Sequence, residues 1–107
     1  MQNIGKTNFE SEVANSDVPV IIDMWAPWCG PCRSLAPVLE KLAGEYDGQV
    51  KVVKINIDEE PELAQAFRVQ SIPVVIGMVD GEVKDMQVGF RGEAPLRKMF
   101  DGLSGKG

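Results

Sequence analysis

Histidine is absent from this chain of 107 residues, and cysteine occurs only twice, at Cys29 and Cys32. A closed structural zinc site needs four ligands, usually cysteine or histidine, so the chain alone cannot supply one. Two cysteines are also too few for the disulfide framework of a small secreted protein. These shortages exclude an intrachain Cys/His zinc domain and a disulfide-stapled scaffold.

Positive charge is also scarce, with 11 Lys and Arg residues against 16 Asp and Glu residues and a net charge of −5. Such a surface repels nucleic acid and acidic membranes. The longest apolar run, Val18 to Trp25, is broken by Asp23 and falls short of the roughly 18 residues of a membrane span. Residues 1–6 show no secretory or transit pattern. We expect a cytoplasmic monomer with no nucleic-acid or membrane partner.

The hydrophobic periodicity predicts one α/β domain over residues 1–107, since no repeat or linker interrupts it. Strands alternate with helices, and the last two strands form a hairpin at Asp80-Gly81. The sheet is therefore expected to be mixed, with an antiparallel final hairpin and helices on both faces. The predicted elements are a weak first strand, a helix capped by Thr7 and Glu10 and ending near Ser16, strands at Val18–Trp25 and Val50–Asp58, a short helix at Pro61, strands at Val74–Val79 and Glu82–Gly89, and a helix that opens at Pro95.

The helical pattern between Cys29 and Tyr46 contains Pro37, which leaves two interpretations. Ser34 could cap a fresh helix with Pro37 in its first turn, or a longer helix could start near Cys29 and kink at Pro37. Local rules do not decide between them.

The two cysteines suggest a metal half-site, a structural staple, inert core thiols or a reversible redox couple. A disulfide across three positions closes too short a loop to stabilise the fold by much. A spacing of three instead places both sulfurs on one face of a first helical turn, where unpaired N–H groups favour a thiolate. With Cys29 at the cap, Pro31 breaks no helical hydrogen bond. This interpretation makes Cys29 the exposed nucleophile and Cys32 the sheltered resolving thiol, and it favours the longer helix.

The stretch Trp-Ala-Pro-Trp-Cys-Gly-Pro-Cys, residues 25–32, resembles the active-site signature of the thioredoxin family. The agreement extends along almost the whole chain, through Asp23, Pro37, Lys54, Ile72-Pro73, Asp80-Gly81 and Val88-Gly89. The resemblance implies a thioredoxin fold, with a central sheet of about five strands flanked by four helices. It further implies a general protein-disulfide reductase in cell redox homeostasis, which works through a reversible Cys29–Cys32 disulfide. No bound cofactor is expected, and the implied partners are a separate thioredoxin reductase and disulfide-containing target proteins.

The same resemblance assigns roles to further residues. Asp23 is expected to be buried beneath the disulfide as proton acceptor for Cys32, with a pKa raised by desolvation and moderated by Lys54. The Ile72–Pro73 bond is expected to be cis. The expected docking surface around Cys29 comprises Trp28, Ile72, Pro73 and Gly89, with Pro31 beside them. Gly30 and Pro31, with no histidine between the cysteines, favour electron donation, and therefore reductase over oxidase activity.

Three residues depart from the family pattern: Met24, Val74 and Gly77. Gly77 interrupts an apolar strand, so a bulge or slack packing is predicted there. Two alternative functions stay open on the sequence alone. One is a binding scaffold that uses the docking surface without electron transfer, and the other is a specialised disulfide oxidase or isomerase.

Overall fold

The protein is described by a computed structural model over residues 1–105, and Lys106 and Gly107 lie outside the described residues. Five strands form one mixed sheet in the order β1-β3-β2-β4-β5. The strands are β1 (Gln2–Asn3), β2 (Val20–Trp25), β3 (Lys51–Asn56), β4 (Val74–Val79) and β5 (Glu82–Val88). Strand β2 is central, parallel to β3 and antiparallel to β4, and β5 is antiparallel to β4.

Four helical segments accompany the sheet within residues 1–105. They are a short π-helix at Glu10–Ala14, α1 (Gly30–Glu45), α2 (Pro61–Ala66) and α3 (Glu93–Ser104). This arrangement confirms the predicted fold class. No helix in the described part of the chain combines the length and apolarity that a membrane crossing requires.

Strand β2 is buried on both faces, as its nearly unbroken apolar sequence predicts. Side chains alternate across a strand, so Ile21 and Asp23 point to one face while Ile22 and Met24 point to the other. The first face packs against α1 and α3, through a cluster that includes Ile21, Leu35, Leu39, Leu42, Leu96, Met99 and Phe100. Asp23 therefore lies on the side of the sheet that α1 covers.

The structure decides the question of Pro37. A single helix, α1, runs from Gly30 to Glu45 with Cys29 as its N-cap and Pro37 inside it. The extent of the longer predicted helix is confirmed, and its kink at Pro37 stays a prediction. Its buried residues include Cys32 and Leu35, so the first turn is tied to the core behind the cysteines.

The predicted helix cap at Thr7 is wrong. No side chain caps the π-helix, whose flanking residue is Phe9. Two other hydrogen bonds hold the turn before the π-helix. The Gly5 N–H donates to Asn8 Oδ1 at 2.8 Å, and the Phe9 N–H donates to the Gly5 carbonyl. An asparagine side chain bonds readily to nearby backbone groups, and in this turn Asn8, not Thr7, makes the side-chain bond to the backbone.

Several element boundaries also differ from the prediction by one or two residues, and two of these differences have a clear local cause. Strand β3 stops at Asn56 instead of Asp58, because Asn56 Oδ1 accepts the Asp58 N–H at 2.9 Å and turns the chain out of the ladder. Helix α3 begins at Glu93, which leaves Pro95 in its first turn, where a missing N–H costs no intrahelical bond.

The hairpin between β4 and β5 turns through Asp80 and Gly81, with φ values of 53° and 78°. Positive φ at both central residues is typical of a type I′ turn, and the hairpin predicted at Asp80-Gly81 is confirmed. The register slips between Gly77 and Met78, which bears out the predicted bulge. The alternative of slack packing is wrong, since a Cβ on Gly77 would lie 2.7 Å from Leu103 Cδ1.

Candidate active site

Cys29 and Cys32 form a disulfide across the first turn of α1, with their Cα atoms 5.3 Å apart. Cys29 has extended backbone angles, and its sulfur accepts a hydrogen bond from the Cys32 N–H at 3.2 Å. Pro31 occupies the first turn, where its missing N–H leaves no helical bond unmade. The sulfur of Cys29 therefore lies where backbone N–H groups and the positive end of the helix dipole favour a negative charge.

Gly30 has no steric reason to be glycine. A Cβ there would meet only Arg33 Nη2, at 3.8 Å. The structure therefore gives no packing argument for Gly30, and its expected part in redox tuning stays a prediction.

The prediction that Cys29 is exposed while Cys32 is sheltered is wrong for the disulfide form. The two residues are 4% and 3% exposed, so burial does not distinguish them. Cys29 is held inward because its N–H donates to the Ala26 carbonyl at 3.1 Å and its sulfur is bonded to Cys32. What distinguishes the sulfurs is their place on the helix: Cys29 is the cap, and Cys32 is a residue of the first turn.

Asp23 is a buried carboxyl, only 2% exposed. It shares a cavity of about 110 Å³ with Cys32 and Lys54, which opens beneath the first turn of α1. Burial raises the pKa of Asp23 to about 7, and the positive charge of Lys54 opposes that rise. Oδ1 of Asp23 has no hydrogen-bond partner among the described residues. The strand therefore presents a carboxyl that exchanges its proton near neutral pH, on the face that α1 and Cys32 cover.

Lys54 is the register partner of Asp23 on the neighbouring strand β3. Its ammonium lies over the ring of Trp25, with Nζ 5.0 Å from the ring centroid. This cation–π contact holds the charge beside Asp23. The structure thus brings together all three residues, Asp23, Cys32 and Lys54, that the sequence suggests for the proton-transfer side of the site.

The peptide bond between Ile72 and Pro73 is cis, as predicted. The antiparallel register pairs Met24 of β2 with Val74 of β4, which places Pro73 beside the end of β2 from which the chain runs to Cys29. Val74 is also paired with Val88 of β5, and the Gly89 N–H donates to the Pro73 carbonyl at 2.8 Å. Pro73, Gly89 and the cysteine turn therefore meet at one end of the sheet.

Trp28 projects from this end of the sheet and is 66% exposed. Its Nε1 donates to both carboxylate oxygens of Asp58, at 2.9 and 3.2 Å. Sequence reasoning missed Asp58. A signal was available, because Asp58 follows β3 and the carboxyl ends of parallel neighbouring strands lie at the same edge of a sheet.

These features define a thiol–disulfide oxidoreductase: a disulfide closed at a helix N-terminus, a buried carboxyl on the same side of the sheet and a cis-proline at the same end. No group of three or more His, Cys, Asp or Glu residues placed to hold a metal ion occurs within residues 1–105.

Comparison with known proteins gives the same class. The family model described as Thioredoxin matches residues 1–102. Thioredoxin 1 of Nostoc sp. is 49% identical over 83 residues, which cover 78% of this chain and 78% of that protein. The thioredoxin of Haemophilus influenzae is 48% identical over 87 residues, 81% of each chain. The thioredoxin of Rickettsia bellii is 46% identical over 88 residues, 82% of this chain and 84% of that protein. The chain belongs to the thioredoxin family.

Proposed function

We propose that the protein is a general protein-disulfide reductase in which Cys29 is the nucleophile and Cys32 the resolving thiol. The observation that carries this assignment is the hydrogen bond from the Cys32 N–H to the Cys29 sulfur at the start of α1. In the reduced protein the same N–H stabilises the Cys29 thiolate. Cys32 has no such donor, because the N–H groups two and three residues after it are used in hydrogen bonds within the helix.

The reaction proceeds in two exchanges. The Cys29 thiolate attacks one sulfur of a target disulfide, which forms a mixed disulfide and releases the other target sulfur as a thiolate. Asp23 then accepts the proton of Cys32, and the new Cys32 thiolate attacks the Cys29 sulfur. The mixed disulfide breaks, the target leaves fully reduced, and the chain is left with its Cys29–Cys32 disulfide. Two electrons have passed to the target.

Asp23 suits this task because its pKa, near 7, allows it to take a proton and release it at neutral pH. Lys54 acts on this step through Asp23. Its positive charge opposes the rise in the pKa of Asp23, which helps the carboxyl to release its proton. Both residues line the same small cavity as Cys32. We assign Asp23 the proton transfer and Lys54 a positioning and tuning role.

Target proteins dock on the surface formed by Trp28, Ile72, Pro73 and Gly89. Pro73 has no N–H, and the backbone groups of Ile72 can pair with an extended target segment as an added strand. A largely apolar surface suits varied protein disulfides better than one small molecule. A separate thioredoxin reductase returns two electrons and two protons to the disulfide, and the protein works as a single-domain monomer in the cytoplasm.

The test is insulin reduction with dithiothreitol as electron source. Cys29→Ser should abolish turnover, whereas Cys32→Ser should accumulate mixed disulfides that non-reducing electrophoresis reveals. Equal turnover by the wild type and Cys29→Ser would refute the assignment. Capture of partner proteins that survives loss of both thiols would favour a binding scaffold. A reduction potential well above that of glutathione would favour an oxidase or isomerase.

A further inference from the structure

The edge strand β5 carries an apolar stripe on one face. Val83, Met86 and Val88 are between 43% and 52% exposed. In the register of the hairpin they lie opposite Met78, Ile76 and Val74, which all point to the same face of β4. The bulge beside Gly77 makes this possible, because without the slip Val83 and Met86 would point to opposite faces.

Helix α2 is six residues long and ends at Ala66. The chain beyond it forms one wall of a cleft of about 250 Å³, and Met86 and Val88 form the other. The same two side chains also line a second cleft, of about 320 Å³, on their other side. Met86 and Val88 therefore form an apolar ridge between two clefts.

Each cleft contains one arginine. Arg68 lines the first and Arg91 lines the second, and no aspartate or glutamate is among the described residues that line either. Neither arginine belongs to any of the salt bridges found within residues 1–105. In a chain with a net charge of −5, two unpaired guanidinium groups thus flank the exposed apolar ridge.

Arg68 occupies a backbone conformation that favours glycine. Its φ is 57°, in the left-handed region, at the end of α2 where a glycine commonly closes a helix. A residue with a Cβ is strained there. Arg68 therefore adopts a strained conformation, and it lines the cleft beside the ridge.

The other side of the docking surface has the opposite charge. Strand β3 lies on one side of β2 and strands β4 and β5 lie on the other. The segment that follows β3 contains Asp58, Glu59, Glu60 and Glu62. The docking end of the molecule thus has acidic residues beside β3 and two arginines beside the exposed ridge of β5.

We propose that the ridge of Met86 and Val88, with Arg68 and Arg91 at its sides, binds an apolar segment of the target protein that carries carboxylates. The ridge is continuous with the docking surface, because Gly89 follows Val88 directly and lines the second cleft. The inference rests on the proposed function and gives it a preference: among protein disulfides, those flanked by alternating large apolar and acidic side chains are reduced fastest. Charge complementarity selects this occupant over a basic segment, which the two arginines repel.

The test uses synthetic peptides that contain one disulfide loop and differ only in a flanking segment. The three segments are Leu-Glu-Leu-Glu, Leu-Lys-Leu-Lys and Ser-Gln-Ser-Gln, each placed before or after the loop. The wild type should reduce the better of the two acidic peptides with a kcat/KM about fivefold above its lysine counterpart at low salt, the size expected for two exposed charge pairs. High salt should shrink this ratio.

Three variants test which residues cause the preference for the acidic peptides. In Arg68→Gly/Arg91→Gln the ratio should fall to within about twofold of unity, and glycine is chosen because it adopts the left-handed conformation of Arg68 without strain. Lys84→Gln removes a charge from β5, the strand that carries the ridge, at a position outside both clefts. It should leave the ratio unchanged. Met86→Ser should lower kcat/KM for both leucine-containing peptides relative to the Ser-Gln peptide.

Reduction of bis(2-hydroxyethyl) disulfide, which is small and neutral, should be the same in all these variants. Failure of the wild type to reduce insulin would count against the proposed function, apart from the ridge. Equal rates on the acidic and basic peptides in the wild type, or a preference that persists in the double variant, would overturn the proposal while leaving the reductase intact.

Discussion

Asp23 and Lys54 face each other across β2 and β3, but the Lys54 ammonium lies over the Trp25 ring. The carboxyl therefore feels the positive charge without a direct bond that would hold it ionised. Burial dominates, and the pKa of Asp23 is raised to about 7. A group whose folded pKa lies above its unfolded value of about 3.9 binds a proton more tightly in the folded state. Its stabilising contribution is present below pH 4 and is lost as the pH rises to 7.

Asp23→Asn should remove the loss of stability that the wild type shows as the pH rises. The free energy of unfolding of the variant, relative to wild type, should rise by about 4 kcal/mol between pH 4 and pH 8, since each pKa unit corresponds to about 1.4 kcal/mol. Urea unfolding across this range measures it. Asp47→Asn, at an exposed position, is the control and should show no comparable trend. A difference that stays constant with pH would contradict the raised pKa.

Lys54→Met should raise the pKa of Asp23 further, because the charge that opposes protonation is lost. The upper end of the pH window over which the wild type loses stability should move above 7. The carboxyl carbon resonance of Asp23 reports this directly in a pH titration by NMR. Lys84→Met removes the same charge from the distant strand β5. An equal shift of the Asp23 pKa in that variant would show that Lys54 has no specific effect.

Asp58→Ala should loosen Trp28 by removing the acceptor of its indole N–H. Since the bond is at the surface, we expect kcat/KM for insulin reduction to fall only about threefold, with kcat little changed. The anisotropy of Trp28 fluorescence, measured in a Trp25→Phe background, should fall as well. Asp58→Asn retains an acceptor oxygen and should restore most of both signals. If Asn and Ala behaved alike, the hydrogen bond would not be what orients Trp28.

Gly77→Ala should destabilise the fold by about 1 kcal/mol, because the added Cβ approaches Leu103 Cδ1 within 2.7 Å and a packed core yields only by strain. Gly44→Ala is the matched comparison. Gly44 lies in α1, and a Cβ added there would meet no atom of the described residues within 4 Å, so alanine should stabilise by about 0.5 to 1 kcal/mol. In a double-mutant cycle, Leu103→Ala should reduce the cost of Gly77→Ala, and strictly additive effects would argue against this contact.

The sequence predicts most of this architecture because its strongest signals are local. The apolar β2 segment, the Asp80-Gly81 turn and the bulge at Gly77 each depend on residues within a few positions of each other. The first turn of α1 is equally local, since a cap, a proline and a spacing of three lie within four residues.

The remaining features depend on contacts between distant segments, which periodicity does not encode. The bond between Trp28 and Asp58 spans 30 positions and needs the sheet order to be known. The burial of Cys29 depends on how the turn at Ala26 closes over it. The Thr7 cap failed for a different reason: Thr7 and Asn8 can each bond to nearby backbone, and the pattern of residue types does not say which one does.

The central claim is that the N-terminus of α1 keeps the Cys29 sulfur ionised. The direct measurement is the ultraviolet absorbance of thiolate during a pH titration of the reduced protein, with Cys29→Ser and Cys32→Ser alongside. We predict a thiolate that forms below the ordinary thiol pKa of about 8.5, persists in Cys32→Ser and is lost in Cys29→Ser. A first thiolate that appears only in alkaline solution, or that belongs to Cys32, would contradict it.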